Sequence, residues 1–405
     1  MRVLVSSSTF PLRPDDGLPR FVYDLAQALA RRCQVTALAP DAPGAARRER
    51  MADVDVRRFS YFRPRRWQSL AYGHGILGNL RASPLAVLQP PPFVWCQARA
   101  TRALVREQGI DLVNSHFLIP QGLSSALARG PSARFRHVLS VHAGDVYALS
   151  RLPFGRALAR FVVSRCDGVF AAGSHVRERL DQLLRTPSQA VVQPMGADFA
   201  LFRGAGARPP VASPFADGYV LFLGRFVEKK GAVYLLRALP RVLERWPGLG
   251  LIAIGYGPLE GDLRREVTRL GLEGSVEFVG RKTHAEIVPY LQGSRLAVVP
   301  SIIDRHGETE GMPTVVAEAL AAGARVVGSA VDGIPDLIRH GRNGWLCRQR
   351  DPVDLAEKML LALDDPTPSA IVERAVETAR GLDWAQVAGR YLEVFERLCV
   401  GESPE

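Results

Sequence analysis

The sequence predicts an α/β protein built from two domains. Three observations carry that expectation. The chain has 405 residues, which is long for a single hydrophobic core. Short apolar runs of strand length alternate with longer amphipathic segments, as in βαβ units. A stretch dense in Gly, Pro and Ala, residues 201–217, separates two such series and reads as a linker.

The first series opens on the apolar run Arg2–Ser6, followed by the loop SSTFPLRPDDGLP. Phe21, Val22, Leu25, Ala26 and Leu29 then recur at helical spacing. Residues 35–39 form a second expected strand, and 112–114, 138–141 and 168–171 further ones between helical segments. Residues 42–92 are rich in Arg, Pro and aromatic side chains and read as irregular. The last segment, WAQVAGRYLEVFERL from Trp384, is an amphipathic helix.

The second series opens on YVLFL, Tyr219–Leu223, an apolar run of buried-strand type. GRFVEKKG follows at 224–231, then the amphipathic VYLLRALPRVL. Arg225 and Lys230 therefore fall on a strand-to-helix turn, where open α/β sheets bind ligands. A planar guanidinium and a compact ammonium both suit a pyrophosphate. Further on, EGMPTVVAE at 310–318 sets two glutamates with seven residues between them. Pro313 suits a first helical turn, and Val315, Val316, Ala319 and Leu320 form an apolar stripe. Glu310 is expected on the loop before this helix and Glu318 on its second turn. Backbone amides at Gly311, Met312 and Thr314 favour an anion there. An anion cradle between two hydroxyl-binding carboxylates suits a sugar nucleotide. The pair alone is weak evidence, because most helical glutamates only solvate a surface.

Composition is that of an ordinary globular protein, 47% hydrophobic and 23% charged. No apolar stretch is long enough to span a membrane. The N-terminus reads as a strand and not as a signal peptide. Cys33, Cys96, Cys166, Cys347 and Cys399 are scattered without metal spacing and read as reduced thiols of a cytoplasmic protein. Charge is uneven. Residues 1–205 hold 28 Arg, no Lys and 14 Asp+Glu, a net of +14, against −3 for the rest. Arginine alternates with aromatic residues at 57–73, where Arg57, Arg58, Arg63, Arg65 and Arg66 surround Tyr61, Phe62 and Trp67. That pattern suits an anionic membrane, an acidic or lipid-linked acceptor, or a solvated loop. No nucleic-acid-binding motif accompanies the charge.

These segments resemble the retaining glycosyltransferases of the GT-B fold. This family-four group includes phosphatidylinositol mannosyltransferases and many bacterial polysaccharide and lipopolysaccharide transferases. In the first half the resemblance runs through SHFLIPQG, SVHAGDVYAL and PMGADFALF. In the second it runs through GRFVEKKG, IGYGPLEGDLRR, VEFVGRKTHAEIVPYL, the long segment around EGMPTVVAE, and DPVDLAEKM. Several motifs in the expected order are more specific than any one.

The resemblance implies two Rossmann-like domains facing across a cleft. Residues 1–205, joined by the last helix at about 384–399, would bind the acceptor, and 206–383 the donor. It implies transfer of a hexose-type sugar from a UDP- or GDP-sugar to a hydroxyl of a glycan, lipid-linked or small-molecule acceptor. Retention would follow front-face attack, with the leaving phosphate taking the proton; a carboxylate nucleophile such as Glu310 stays open. Arg225 and Lys230 would stabilise the leaving diphosphate without an obligatory metal or cofactor. No DxD pair is placed as in metal-dependent transferases: Asp15-Asp16 and Asp364-Asp365 read as surface charge. Glu318 would meet the ribose and Glu310 the donor sugar. Gly224 and the segment Gly311, Met312, Pro313, Thr314 would lie at the phosphates, and the backbone around Arg281 and Lys282 at the base. Gly255 and Gly257 would admit the ligand or simply form turns. His142 would bind the transferring sugar, Asp145 would support the acceptor or its loop, and His116 is a weaker candidate. Gly17 matches the second glycine of a family pair whose first position is Asp16 here, which puts the loop path and acceptor choice in question. His175, His284, His306 and His340 read as surface or structural. Two other classes share the fold: a nucleotide-sugar epimerase or phosphorylase, and a non-catalytic sugar-nucleotide-binding module.

Overall fold

The computed structural model describes residues 1–12, 20–73, 75–130, 135–204, 211–305, 307, 309 and 311–401, with Pro368 described in its backbone only. The chain divides into two compact units. The first holds Met1–Ala172, Val176–Gln193 and the chain from Trp384; the second holds Gly173–His175 and Pro194–Asp383.

Among the described residues, the first unit carries eight strands: β1 Arg2–Ser6, β2 Gln34–Pro40, β3 Arg48–Met51, β4 Val54–Phe59, β5 Leu112–His116, β6 Arg136–Val141, β7 Gly168–Ala171 and β8 Val191–Val192. They pair in the order β3-β4-β2-β1-β5-β6-β7-β8, parallel except for β3 on β4. The second unit carries β9 Tyr219–Leu223, β10 Gly250–Ile254, β11 Val276–Gly280, β12 Leu296–Val299, β13 Val326–Ser329 and β14 Trp345–Cys347, all parallel, in the order β11-β10-β9-β12-β13-β14. Central strands such as β1 and β9 are buried on both faces, so they read as continuous apolar runs. In each sheet the winding reverses beside its first strand, between β1 and β5 and between β9 and β12. Ligands bind outside the carboxyl ends of strands at such switch points.

Helices cover the faces through one apolar stripe each. Phe21–Ala30 buries Val22, Leu25, Ala26 and Leu29, and Ala232–Leu243 buries Leu235, Leu236, Leu239 and Val242. The closing helix Trp384–Val400 belongs to the first unit. Its buried Tyr391 stacks on Phe170 with centroids 4.1 Å apart, and its hydroxyl lies 3.2 Å from Ser140 Oγ.

Three expectations need correction. The units divide at Gln193/Pro194, ahead of the expected 205 boundary. Phe199–Arg203 is a helix, capped by Asp198 Oδ1 on the Leu201 amide at 2.9 Å, and Phe202 is buried in the second unit's core. The supposed linker therefore starts later than 201. Finally, residues 42–92 are not irregular throughout, for they hold β3, β4 and short helices. In β4, Val54, Val56 and Arg58 alternate inward. Arg58 is buried against Glu49 at 2.9 Å and Tyr72 at 2.8 Å. A buried arginine disguised the period-2 pattern. Among the described residues, no helix is long and apolar enough to cross a membrane.

Candidate functional site

In the second unit, three strands end in step. The Gly224 amide donates to Ile254 O at 3.0 Å, and the Gly255 amide to Gly280 O at 2.9 Å. The loops beyond them lie so close that side chains are excluded. A Cβ on Gly255, whose φ is +155°, would sit 1.9 Å from Gly224 O; one on Gly257 would sit 2.5 Å from Phe226 O. Both glycines thus have a packing role, whatever else approaches them. Arg225 projects from this layer and is exposed, while the Lys230 stem lies along Gly224. The turn Glu228–Lys230 ends at Gly231, φ +66°, where a Cβ would stand 1.8 Å from Pro300 O. Lys229 O accepts from the Ile302 amide at 2.8 Å, so the loop after β9 is bound to the loop after β12 across the switch point.

That second loop feeds the helix Thr314–Ala322. Pro313 is its extended N-cap residue, with ψ 112°, and stands one position ahead of the first turn instead of within it as expected. The Val316 amide already bonds Pro313 O at 3.0 Å, which leaves the Thr314 and Val315 amides as the opening of the helix. Gly311 has φ +72°, and its carbonyl accepts from the Gly333 amide at 2.7 Å. Met312 packs its side chain into the core, so only its backbone is available to a ligand. Glu318 sits on the second turn, 6% exposed, with Oε1 3.5 Å from His284 Nε2. His284 opens the helix His284–Gly293, which Thr283 and Glu286 cap through a 2.8 Å bond from the Thr283 amide. Sequence reasoning assigned His284 a surface or structural place and missed this pairing. The capping box in THAE marks the helix start, but nothing local announces a partner 34 positions on. Arg281 lies over the Tyr256 ring at 5.5 Å, and Lys282 beside it is half-buried. Glu310, Asp15, Asp16, Gly17 and His306 lie outside the described residues.

In the first unit, His116 ends β5 and His142 follows β6. The two imidazoles stack with centroids 5.5 Å apart, and His116 Nδ1 is 3.3 Å from His142 Nε2. Phe117 and Phe21 close over His142 at 4.6 and 5.1 Å. Burial holds both rings neutral: His142 is pushed down to about 3 and His116 well below its usual value. They can give or take a hydrogen bond but carry no charge near neutrality. Asp145, on the first turn of the helix Ala143–Ser150, accepts from the amides of Leu118, His142 (3.1 Å) and Val146 (3.0 Å). It positions the loop and the helix start. Burial pushes its carboxyl up to about 7 against the opposing effect of those amides.

These shifts set a pH dependence. His116, His142 and the buried His137, the last pushed down to about 4, contribute stability that is complete above about 6.5. It is lost as pH falls through the folded values. Asp145 acts in the opposite sense, because its raised value favours the fold on acidification. Three groups outweigh one, a net of about two protons, or on the order of 2–3 kcal/mol per pH unit. The melting temperature should fall between pH 6.5 and 4.5, and less steeply for His137→Gln. A flat profile over that range contradicts the buried neutral histidines.

The far half of the helix Ala143–Ser150 lines a cavity of about 700 Å³ with Tyr147, Arg156, Arg160 and Arg179, and no carboxylate lines it among the described residues. Arg160 is committed to Leu184 O at 2.8 Å, and Arg179 lies over the Tyr147 ring at 5.4 Å.

The expected arginine–aromatic surface at 57–73 is only partly a surface. Arg57 binds Asp55 at 2.9 Å, Arg58 is buried, and Arg65 binds Asp41 at 2.6 Å. Tyr61 packs on Phe93 at 4.8 Å. Arg63, Arg66 and Trp67 stay exposed. Asp364 faces Arg245 at 3.0 Å, and Asp365 accepts from the Thr367 amide at 2.9 Å, so this doublet is structural.

Two family models match: "Glycosyltransferase Family 4" over residues 16–201 and "Glycosyl transferases group 1" over residues 217–365. The chain belongs to the GT-B glycosyltransferases. Among its relatives, an uncharacterized glycosyltransferase of Methanocaldococcus jannaschii is 25% identical over 73% of this chain and 78% of its own. The amylovoran biosynthesis glycosyltransferase AmsK of Erwinia amylovora is 36% identical over 44% of each chain, so that alignment spans under half of either protein. Among solved structures, Anabaena HepE in complex with UDP superposes with a TM-score of 0.70 at 19% identity, over 98% of this chain and 99% of that one. At that identity the likeness concerns the fold. The glycosyltransferase thus has two sheets flanked by helices, one all parallel and one parallel except at its β3 edge, each with candidate residues at the strand ends beside its switch point.

Proposed function

We propose that this glycosyltransferase moves a hexose-type sugar from a nucleoside-diphosphate sugar to an acceptor hydroxyl, with retention of configuration. The observation that carries this is the convergence, at the β9/β12 switch point, of Arg225, Lys230 and the opening of the helix Thr314–Ala322, with Glu318 held one turn on. The HepE complex with UDP, on the same fold, supports a nucleotide donor. The relationship to AmsK supports a place in cell-surface polysaccharide biosynthesis.

In this reading the acceptor oxygen bonds to the anomeric carbon as the bond from that carbon to the phosphate oxygen breaks. The electron pair leaves on the diphosphate, which takes the acceptor proton. Arg225, Lys230 and the helix opening stabilise that charge in place of an obligatory metal. His142, neutral, hydrogen-bonds the transferring sugar, and Asp145 holds its loop. The arginine-lined cavity favours an acceptor bearing an acidic group.

The test is release of nucleoside diphosphate from UDP- and GDP-hexoses, with EDTA present, together with the anomeric configuration of the product. Turnover with retention supports the reading. An intact donor marks a binding module, an interconverted sugar marks an epimerase, and full loss with EDTA restored by Mg²⁺ contradicts metal independence.

Glu318 is assigned the ribose, because a carboxylate accepts two hydrogen bonds from vicinal hydroxyls. Glu318→Gln keeps the shape and loses the charge and one acceptor. Affinity for the cognate nucleoside diphosphate should fall about tenfold or more with the melting temperature little changed. Unchanged affinity in calorimetry would remove Glu318 from the site.

A further inference from the structure

Residues 57–106 form a run of 50 positions with nine arginines and no Asp or Glu. Internal pairing uses several of them: Arg57, Arg58 and Arg65 as above, and Arg102 on the carbonyls of Leu127 and Ala128. Arg63, Arg66 and Arg99 are exposed. The same run exposes large apolar side chains: Trp67 at 47%, Val87 at 56%, Leu88 at 66% and Trp95 at 65%. A lone exposed apolar residue needs no explanation, whereas two tryptophans and two aliphatics in one segment do.

Gln89, fully buried, ties the Trp67 loop to the chain beside Leu88. Its amide nitrogen donates to Trp67 O at 2.8 Å and Ser69 Oγ at 3.1 Å, and its Oε1 accepts from the Ser69 and Leu70 amides at 3.0 and 3.1 Å. The loop carrying Trp67 is thereby fixed to the residue after Leu88, at the head of the helix Pro90–Gln108. That helix turns Phe93, Gln97, Ala98, Thr101 and Leu104 inward. Trp95 and Arg99, four positions apart, share the opposite stripe of this helix, and Leu88 stands exposed just ahead of it. Arg63 and Arg66 lie on the Trp67 loop itself.

We infer that this face, Arg63, Arg66, Trp67, Leu88, Trp95 and Arg99, docks the enzyme on an anionic lipid bilayer. Indole rings suit the headgroup level, where one edge is apolar and the other wet. Guanidinium groups with no carboxylate in the segment complement lipid phosphates. Burial of the aliphatics alone would not select lipid charge, and the arginines alone would not need exposed tryptophans. The inference does not depend on the donor reading: it assigns a surface for attachment in place of the internally paired arginines at 57–65.

The experiment is co-sedimentation of the full chain with vesicles of phosphatidylglycerol and phosphatidylcholine, or of phosphatidylcholine alone. Salt is set at about 50 mM and about 500 mM, which shortens the screening length severalfold. Binding is expected on anionic vesicles at low salt, with a blue shift of tryptophan emission, and release at high salt. Trp67→Ala with Trp95→Ala should lose the binding. Arg63→Ala with Arg66→Ala and Arg99→Ala should weaken it about tenfold or more. Arg264→Ala, on the second unit, should change nothing, and all variants should keep wild-type melting temperature and donor turnover with a soluble acceptor. Absent binding, equal binding to neutral vesicles, or binding that survives the tryptophan changes overturns the inference. So does a concentration-dependent dimer that the tryptophan changes abolish while vesicles stay unbound, since the face then belongs to a second copy.

Discussion

Replacing Arg225 or Lys230 with Ala lowers kcat by about a hundredfold or more, the cost of one preorganised electrostatic donor aimed at developing charge. The residues act on the same diphosphate, so the double variant loses less than the product of the single losses. Neither change should unfold the protein: Arg225 is exposed, and Lys230 is half-exposed along Gly224. The KM for the donor shifts less than kcat if the charge they meet appears mainly in the transition state. Near-normal turnover in both single variants would remove them from the leaving-group side. The turn that carries them tolerates little. With Gly231 at φ +66° and its Cβ position 1.8 Å from Pro300 O, a side chain there must displace the loop after β12.

The second large effect lies in the first unit. Asp145→Ala strips the acceptor from the amides of Leu118, His142 and Val146, all three of them buried. Each unpaired buried donor costs about 1–3 kcal/mol, so the variant is less stable by about 3 kcal/mol or more. For a unit of this size that lowers the melting temperature by roughly 6–12 °C. Asp145→Asn keeps one acceptor oxygen and should lose about half as much. Differential scanning calorimetry decides it. A drop of under about 2 °C for the alanine variant would mean that water or backbone movement satisfies those amides, and that Asp145 does not set the His142 loop.

Much of this was legible because it is local. A strand, a turn and a helix in direct succession placed Arg225 and Lys230 beyond β9 from sequence alone, and helical spacing placed Glu318 on its second turn. His116 and His142 follow apolar strand runs, so their position at strand ends was readable as well. What escaped was made by tertiary packing. His284 meets Glu318 only because two helices from different βαβ units lie side by side. Arg58 alternates inward in β4, where a charged residue argued against burial, and Glu49 and Tyr72 satisfy it from elsewhere in the fold. The arginine-rich segment looked like a single surface because composition does not separate a guanidinium paired to Asp41 from one left exposed. Phe202 looked like linker because Gly, Pro and Ala around it hid one large apolar side chain that the second unit's core takes up.

The central claim is that the strand ends of the second unit grip a diphosphate. Calorimetric titration with the mono- and diphosphates of uridine and guanosine tests it most directly. One diphosphate should bind about tenfold or more tighter than its monophosphate, and Arg225→Ala should erase most of that difference. Equal affinity for mono- and diphosphate in the wild-type protein, or a preference that survives Arg225→Ala and Lys230→Ala together, would contradict the account.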